Sequence, residues 1–354
     1  MTSTTTTTTT TTTAPAPTVD NEAKVLKNLQ AAHGDWRDDL ARDGYAVIKG
    51  AIPPSRAAHY RARAHSWLTS FGTPLSLSDP STWSAANLPV QSKINTFSAY
   101  SVSHEAFMWE IRLEPGVVGA FASLWGTDEL LVSFDALNVT LPAHLRADAA
   151  THPAKAAWPH VDQSPLRRGA CCVQGVVNLS PSGARDGGLV VYPGTHRLME
   201  EFFATETDAA AWEARDLYMF SEEQLAWFAG RGCAAKKVVA EPGDLLVWDS
   251  RTVHWGAEPE SEQIRTVVYA SYAPAKWASE AQLREKAKIF GKWAGTTHWP
   301  HDNIVYREGR ALLPDGSEDP RNRSEPREKP VLGERLLKLA GAVRYDGSVV
   351  EPAA

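Results

Sequence analysis

His160 and Asp162 stand two residues apart in the run Trp158-Pro-His-Val-Asp162. On an extended strand, side chains two apart share one face. A neutral imidazole and a carboxylate on one face supply two of the three donors of the facial triad that holds non-haem Fe(II). Alone, a His-x-Asp pair is too common to define a metal site. A further histidine, His254, follows about 90 residues later, in Glu241-Pro-Gly-Asp-Leu-Leu-Val-Trp-Asp-Ser-Arg-Thr-Val-His254. Pro242-Gly243-Asp244 reads as a turn, residues 245–248 as a buried strand, and a short loop then delivers the histidine. Such a separation suits two distant strands meeting in the mouth of a barrel, although a hydrogen-bonded core histidine has the same local sequence. Eleven residues on, Arg265 opens a β-branched run at 266–272. A hairpin through residues 258–263 would bring the arginine near His254 but deeper in the barrel. An arginine buried there needs an anion, and its planar fork suits a carboxylate. A surface ion pair with Glu260 or Glu262 is the alternative.

The elements around these residues change character along the chain. Residues 1–18, with an unbroken threonine run from Thr4 to Thr13 followed by Ala-Pro repeats, are expected to be a disordered tail. Residues 19–306 are expected to form one domain. Its first part, 19–128, reads as helical around a single strand at 45–49, with a polar loop at 72–92. From 129 to 275, apolar, β-branched runs at 130–139, 172–179, 188–192, 237–239, 245–248 and 266–272 alternate with turn signals, the pattern of an antiparallel sandwich or barrel. A helical insertion at 207–214 and 221–229 interrupts it, with Ser221-Glu-Glu-Gln224 as an N-cap signal. Residues 276–306 return to helix and are expected to cover the barrel mouth. Residues 307–354 read as a charged, Pro/Gly-rich tail with one short helix at 334–340.

Composition narrows the function classes. Lys plus Arg number 36 against 42 Asp plus Glu, a formal net charge of −6. That balance argues against a nucleic-acid partner. Three cysteines, two of them adjacent at 171 and 172, make no disulfide framework and fit a reducing compartment. No apolar run is long enough to span a bilayer, no signal peptide is evident, and the last residues are not a Ser-Lys-Leu peroxisomal address. A cytoplasmic enzyme acting on a small molecule is the expectation; the sequence does not reveal an oligomeric state. Tryptophan is over-used, with 13 against 10 Phe and 9 Tyr, and Trp158, Trp248 and Trp255 flank the candidate ligands.

Taken together, His160-x-Asp162, the run Gly188-Leu-Val-Val-Tyr-Pro-Gly-Thr-His196, Pro242-Gly-Asp244, His254 and Arg265 resemble the phytanoyl-CoA dioxygenase family of Fe(II)- and 2-oxoglutarate-dependent oxygenases. The run Asp43-Gly-Tyr-Ala-Val-Ile-Lys-Gly50 resembles that family's N-terminal strand, and the resemblance extends over about residues 40–275. It implies a mainly β fold with flanking helices, a double-stranded β-helix (jelly roll, cupin-like barrel). It also implies that His160, Asp162 and His254 bind Fe(II), that Arg265 binds the distal carboxylate of 2-oxoglutarate, and that O2 is the second co-substrate. Three protein ligands leave room for the keto acid and O2. Related halogenases lack the carboxylate, so Asp162 points to hydroxylation or another oxidation.

Other residues remain open at this level. Asn138, Gln174 and Asn178 lie on inner strands and are candidate pocket residues, but strand parity cannot be fixed. Trp255 follows the distal histidine and either walls the pocket or packs outside it. His196 follows a turn and reads as structural. Proline between His298 and His301 argues against a second metal site. Arg167-Arg168 is a candidate for binding the phosphates of coenzyme A, although a lone pair of arginines is more often a solvated loop. Two further functions fit a histidine-lined barrel: a cupin-like metalloenzyme that does not use 2-oxoglutarate, and a catalytically silent barrel. Arg265 argues against the first, and the intact ligand set against the second.

Overall fold

The computed structural model describes residues 31–304, 306 and 310–353; the threonine-rich stretch at 1–18 lies outside them. The helical part contains α1 (Trp36–Asp43), β1 (Tyr45–Ile48), α2 (Pro54–Leu68), β2 (Thr96–Phe97), α3 (Ala106–Arg112) and α4 (Pro115–Trp125). The strand-rich part runs β3 (Leu130–Val132), β4 (Leu137–Thr140), β5 (His160–Val161), β6 (Val173–Asn178), β7 (Gly188–Val191), α5 (Thr195–Glu206), β8 (Tyr218–Met219), α6 (Glu222–Ala229) and β9 (Lys236–Lys237). It continues with β10 (Leu245–Asp249), β11 (His254–Ala257), β12 (Arg265–Tyr269) and β13 (Tyr272–Pro274), and ends with α7 (Glu280–Gly291) and α8 (Glu334–Leu339). None of the described helices is long and apolar enough to cross a membrane.

All strand pairs are antiparallel. A six-stranded sheet has the order β1-β10-β6-β12-β4-β2, a five-stranded sheet the order β8-β5-β11-β7-β9, and β3 pairs with β13. The chain shuttles between the two large sheets from β4 to β7 and again from β9 to β12. That alternation is the double Greek key of a jelly roll. Among the described residues the two large sheets stay separate and do not close into a barrel.

Strand parity explains the layers. Val176, Leu246, Trp248 and Val267 of the six-stranded sheet pack against Leu189 and Val191 of the five-stranded one. Their sequence neighbours Val177, Leu245, Val247 and Val268 point the other way and join a core with Trp67, Phe107, Phe121 and Phe290 of the flanking helices. The outer face of the five-stranded sheet is covered by α5 and α6, where Val161 and Val253 pack against Phe202, Phe220 and Phe228. The Pro242-Gly243-Asp244 motif is a structural turn. Gly243 has φ +97°, and a Cβ there would meet the Ile52 carbonyl oxygen at 2.1 Å. The Asp244 carboxylate accepts from Lys49 Nζ (2.8 Å) and the Gly50 N–H (2.9 Å), tying the turn to β1.

Three expectations change. The run at 130–139 is two strands in different sheets, β3 and β4. Residues 195–206, read as following a turn, form α5. Residues 310–353 are not a loose tail: Leu336, Leu339 and Ala340 are buried in the main core, and Asp319 accepts from Tyr100 at 2.6 Å.

Two imidazoles, His104 buried and His65 half-buried, anchor the helical side. His104 donates through Nε2 to the Ala294 carbonyl (2.8 Å) and accepts at Nδ1 from Trp109 Nε1 (3.2 Å). Burial, reinforced by Arg112, pushes it down to about 3. Burial and Arg61 push His65 down to about 4. The unfolded chain protonates these groups near 6.5, whereas the folded protein keeps them neutral well below that. Their contribution is therefore complete above about pH 7 and is lost as pH falls, at about 1.4 kcal/mol per pH unit per group. The urea midpoint should drop from pH 7.5 to 5.5, and His104→Gln should drop less over the same interval; an equal drop in the variant contradicts the assignment.

Candidate active site

β5 and β11 are neighbours, and His160 lies directly opposite His254 across their ladder, with ring centroids 4.3 Å apart. Both side chains face inward because Val161 and Val253 face out. His160 Nδ1 contacts the Trp158 carbonyl at 3.0 Å and His254 Nδ1 contacts the Thr252 carbonyl at 2.8 Å. A carbonyl only accepts, so each ring carries its proton on Nδ1 and leaves the Nε2 lone pair free. Asp162 follows on the same face. Its Oδ2 lies 3.4 Å from His160 Nε2 and 3.2 Å from His254 Nε2. The Asp162 N–H donates to the Ser250 carbonyl (3.0 Å), and Gln174 Nε2 donates to Oδ2 (2.8 Å). One donor atom from each of the three residues lies within 4.8 Å of the others.

The electrostatics favour a cation. Burial, with His160 adding to it, holds His254 below the usual imidazole range, so it is neutral and able to bind a metal at neutral pH. Burial works to raise the Asp162 carboxyl, but His160 and His298, with the close approach of His254, hold it well below the usual carboxylate range. Two imidazoles and one carboxylate fit Fe(II) with open positions. They are too few oxygens for a calcium or magnesium cage.

Arg265 enters from the opposite sheet. On β12, Thr266 faces the helices, where its Oγ1 meets His65 Nε2 at 2.9 Å, so Arg265 points into the gap. A cavity of about 460 Å³ reaches from the histidines to this arginine. Arg265 is only 6% exposed and its Nε has no hydrogen-bond partner. Among the described residues no carboxylate pairs with it; Glu260 lies 3.8 Å from Arg185 instead. Thr140 sits opposite Arg265 in the ladder, and Tyr269 lies further along the same face. The expected hairpin is not what joins Arg265 to His254. β11 and β12 belong to different sheets, and the two residues meet across the gap between them.

The remaining candidates divide. Asn138, Gln174 and Trp255 line the cavity. Asn138 holds the β2 loop, donating to the Ile94 carbonyl (2.9 Å) and accepting from Thr140 Oγ1 (2.9 Å). Asn178 shares their parity but lies at the sheet end, where its amide donates to the carbonyls of Ser180 (2.6 Å) and Glu241 (3.1 Å). His196 is buried on α5 and donates to the Ala41 carbonyl at 3.1 Å, away from the cavity. Trp158, Trp248, Trp255 and Trp299 line the cavity, while Trp277 and Trp293 pack against the helical core. Cys171 and Cys172 are buried under Trp299.

Sequence reasoning did not single out Thr140, Lys155, Tyr269 or Glu258 as lining residues, nor give His298 a place beside Asp162. Only the parity of Tyr269 with Arg265 was available from the sequence.

The profile of the phytanoyl-CoA dioxygenase family matches residues 40–267. The chain belongs to that family. As a phytanoyl-CoA dioxygenase family member with the three donors converged, it is a non-haem Fe(II)- and 2-oxoglutarate-dependent oxygenase. Ava biosynthesis cluster protein O of Aspergillus versicolor is 40% identical over 274 residues, covering 76% of this chain and 87% of that protein. Among solved structures, the epimerase SnoN in complex with Fe3+, alpha ketoglutarate and nogalamycin RO is 17% identical, with a TM-score of 0.45 over 88% of this chain and 97% of that one. EctD from S. alaskensis in its apoform is 15% identical, with a TM-score of 0.48 over 78% of this chain and 84% of that one.

Gln174 holds the Asp162 carboxylate in place through its 2.8 Å hydrogen bond to Oδ2. Loss of such an outer partner costs about 10- to 100-fold in metal affinity. Gln174→Leu should weaken Co(II) binding, followed by its visible absorption, by that factor. Unchanged affinity contradicts an orienting role for this hydrogen bond.

Proposed function

We propose that the enzyme hydroxylates a C–H bond of a small organic molecule, with His160, Asp162 and His254 as the iron ligands and Arg265 as the anchor for the distal carboxylate of 2-oxoglutarate. The observation that carries this reading is a buried arginine without an anion, facing three converged donors across one cavity. When bound, Fe(II) supplies O2 activation: one oxygen atom enters the substrate C–H bond, the other enters succinate, and 2-oxoglutarate loses CO2.

The chain's own residues set this up. The carbonyls of Trp158 and Thr252 keep both imidazoles in the ligating tautomer. Gln174 orients Asp162. Arg265 offers charge-assisted hydrogen bonds that would be diluted at the surface but are strong in a buried site. Tyr269 beside it is pushed up by burial, although Arg265 pulls the other way, so it stays a neutral hydroxyl able to donate to the same carboxylate. The Asp162 carboxylate favours hydroxylation over halide transfer because it keeps its position in the ligand set. Three free, buried cysteines support a cytoplasmic enzyme.

A cupin-like enzyme without 2-oxoglutarate would leave Arg265 unexplained, and a silent barrel would not need the aligned histidine tautomers. Replacing Arg265 by alanine removes hydrogen bonds to a charged group, each worth about 1.5–3 kcal/mol. The concentration of 2-oxoglutarate giving half-maximal succinate release should rise by roughly 10- to 150-fold in Arg265→Ala, while Asp162→Ala should release none. A wild-type requirement in Arg265→Ala would place the co-substrate's anchor elsewhere.

A further inference from the structure

The cavity is poor in available positive charge. Four of its lining residues are carboxylates, Asp135, Asp162, Asp216 and Glu258, against three cations, Lys155, Arg215 and Arg265. Arg265 faces the co-substrate end. Lys155 bonds to Asn95 Oδ1 and lies 3.4 Å from Glu258 Oε1, which also accepts from Asn95 Nδ2 at 3.0 Å. Among the described residues, Arg215, at the exposed rim, is the lining cation besides Arg265 that has no carboxylate partner.

The Arg167-Arg168 pair that the sequence offered for phosphates is also taken. Arg167 donates to both oxygens of Asp216 (2.8 and 3.0 Å) and to Asp302 (2.7 Å), and lies 4.5 Å over the Trp299 ring. Arg168 lies 5.6 Å over Trp212 and donates to the carbonyls of Pro165 and Arg167. Coenzyme A, with a diphosphate and a 3′-phosphate, would meet one unpaired cation at the rim, Arg215, while the other nearby cations are already engaged.

What the cavity does offer is fixed aromatic surface. Trp158 lies flat on His160, with centroids 4.1 Å apart and planes at 9°, so its indole is held in one orientation beside the ligands. Trp255, Leu217 and Ile94 extend the wall. Rigid rings bind other rings by offset stacking at little entropic cost.

Resting on the oxygenase reading, we propose that the substrate is a ring-bearing, largely apolar small molecule without negative charge, and that acyl-CoA thioesters are excluded despite the family's name. The test uses the protein loaded anaerobically with Fe(II) and 2-oxoglutarate, titrated with N-phenyl-1-naphthylamine, an uncharged fluorescent dye, and then challenged with octanoyl-CoA and with coenzyme A. The dye should bind saturably and independently of salt, about tenfold more weakly in Trp255→Ala, and neither thioester nor coenzyme A should displace it. Displacement by octanoyl-CoA that weakens with added salt overturns the proposal, as does absence of saturable dye binding. In the same samples, the visible absorption of the iron–2-oxoglutarate complex reports separately on the oxygenase reading: if that band is missing, the oxygenase reading fails whatever the dye does.

Discussion

The site depends on one cross-strand pairing, His254 against His160. The β5–β11 ladder puts two imidazoles on one face with centroids 4.3 Å apart, and backbone carbonyls two residues upstream take their Nδ1 protons. Nothing else has to turn the lone pairs inward. Asp162 then needs only strand parity and the Gln174 hydrogen bond to complete the set. A one-residue slip of either strand would send its histidine to the outer face, among the phenylalanines of α5 and α6. The thick apolar layer there, with Phe202, Phe203, Phe220 and Phe228 all buried, therefore guards the register of the two histidines as well as the stability of the insertion.

The second constraint is a buried cation facing that pairing. Arg265 is buried in the facing sheet with an unpartnered Nε. Such a group is costly to bury unpaired, so the folded protein holds a cavity whose preferred content is an anion. The cover is fixed just as firmly. Arg167, Asp216, Asn303 and Asp302 bind one another across the loop after Asp162, the insertion and the C-terminal segment. That network places His298 and Trp299 over the site. The residues that fasten the cover are the ones that consume the nearby positive charge, so closure and selection against polyanions have a common origin.

Much of this was legible in the sequence, for physical reasons. Each ligand sits beside a recognisable turn or strand, and the order of the motifs survives without coordinates. Parity was the limit. Gln174 and Asn178 have the same parity on β6, yet Gln174 supports Asp162 while Asn178 satisfies carbonyls at the sheet end; no local signal says where a cavity stops. The link from His254 to Arg265 was long enough for a hairpin, and its length cannot show that the next strand joins the opposite sheet. Helix α5 was hidden behind Pro193-Gly194, although His196, Met199, Phe202 and Phe203 carry a helical period. The last stretch looked charged and loose because only Leu336, Leu339 and a few neighbours commit it to the core.

The central claim is that one cavity holds Fe(II) on His160, Asp162 and His254 and 2-oxoglutarate on Arg265. An anaerobic titration of the Fe(II)-loaded protein with 2-oxoglutarate, followed by visible absorption, tests it most directly. The account predicts a weak charge-transfer band that saturates at one 2-oxoglutarate per protein and does not form in Asp162→Ala. A protein that binds Fe(II) but shows no band at any 2-oxoglutarate concentration, or a band that persists undiminished in Asp162→Ala, would contradict it.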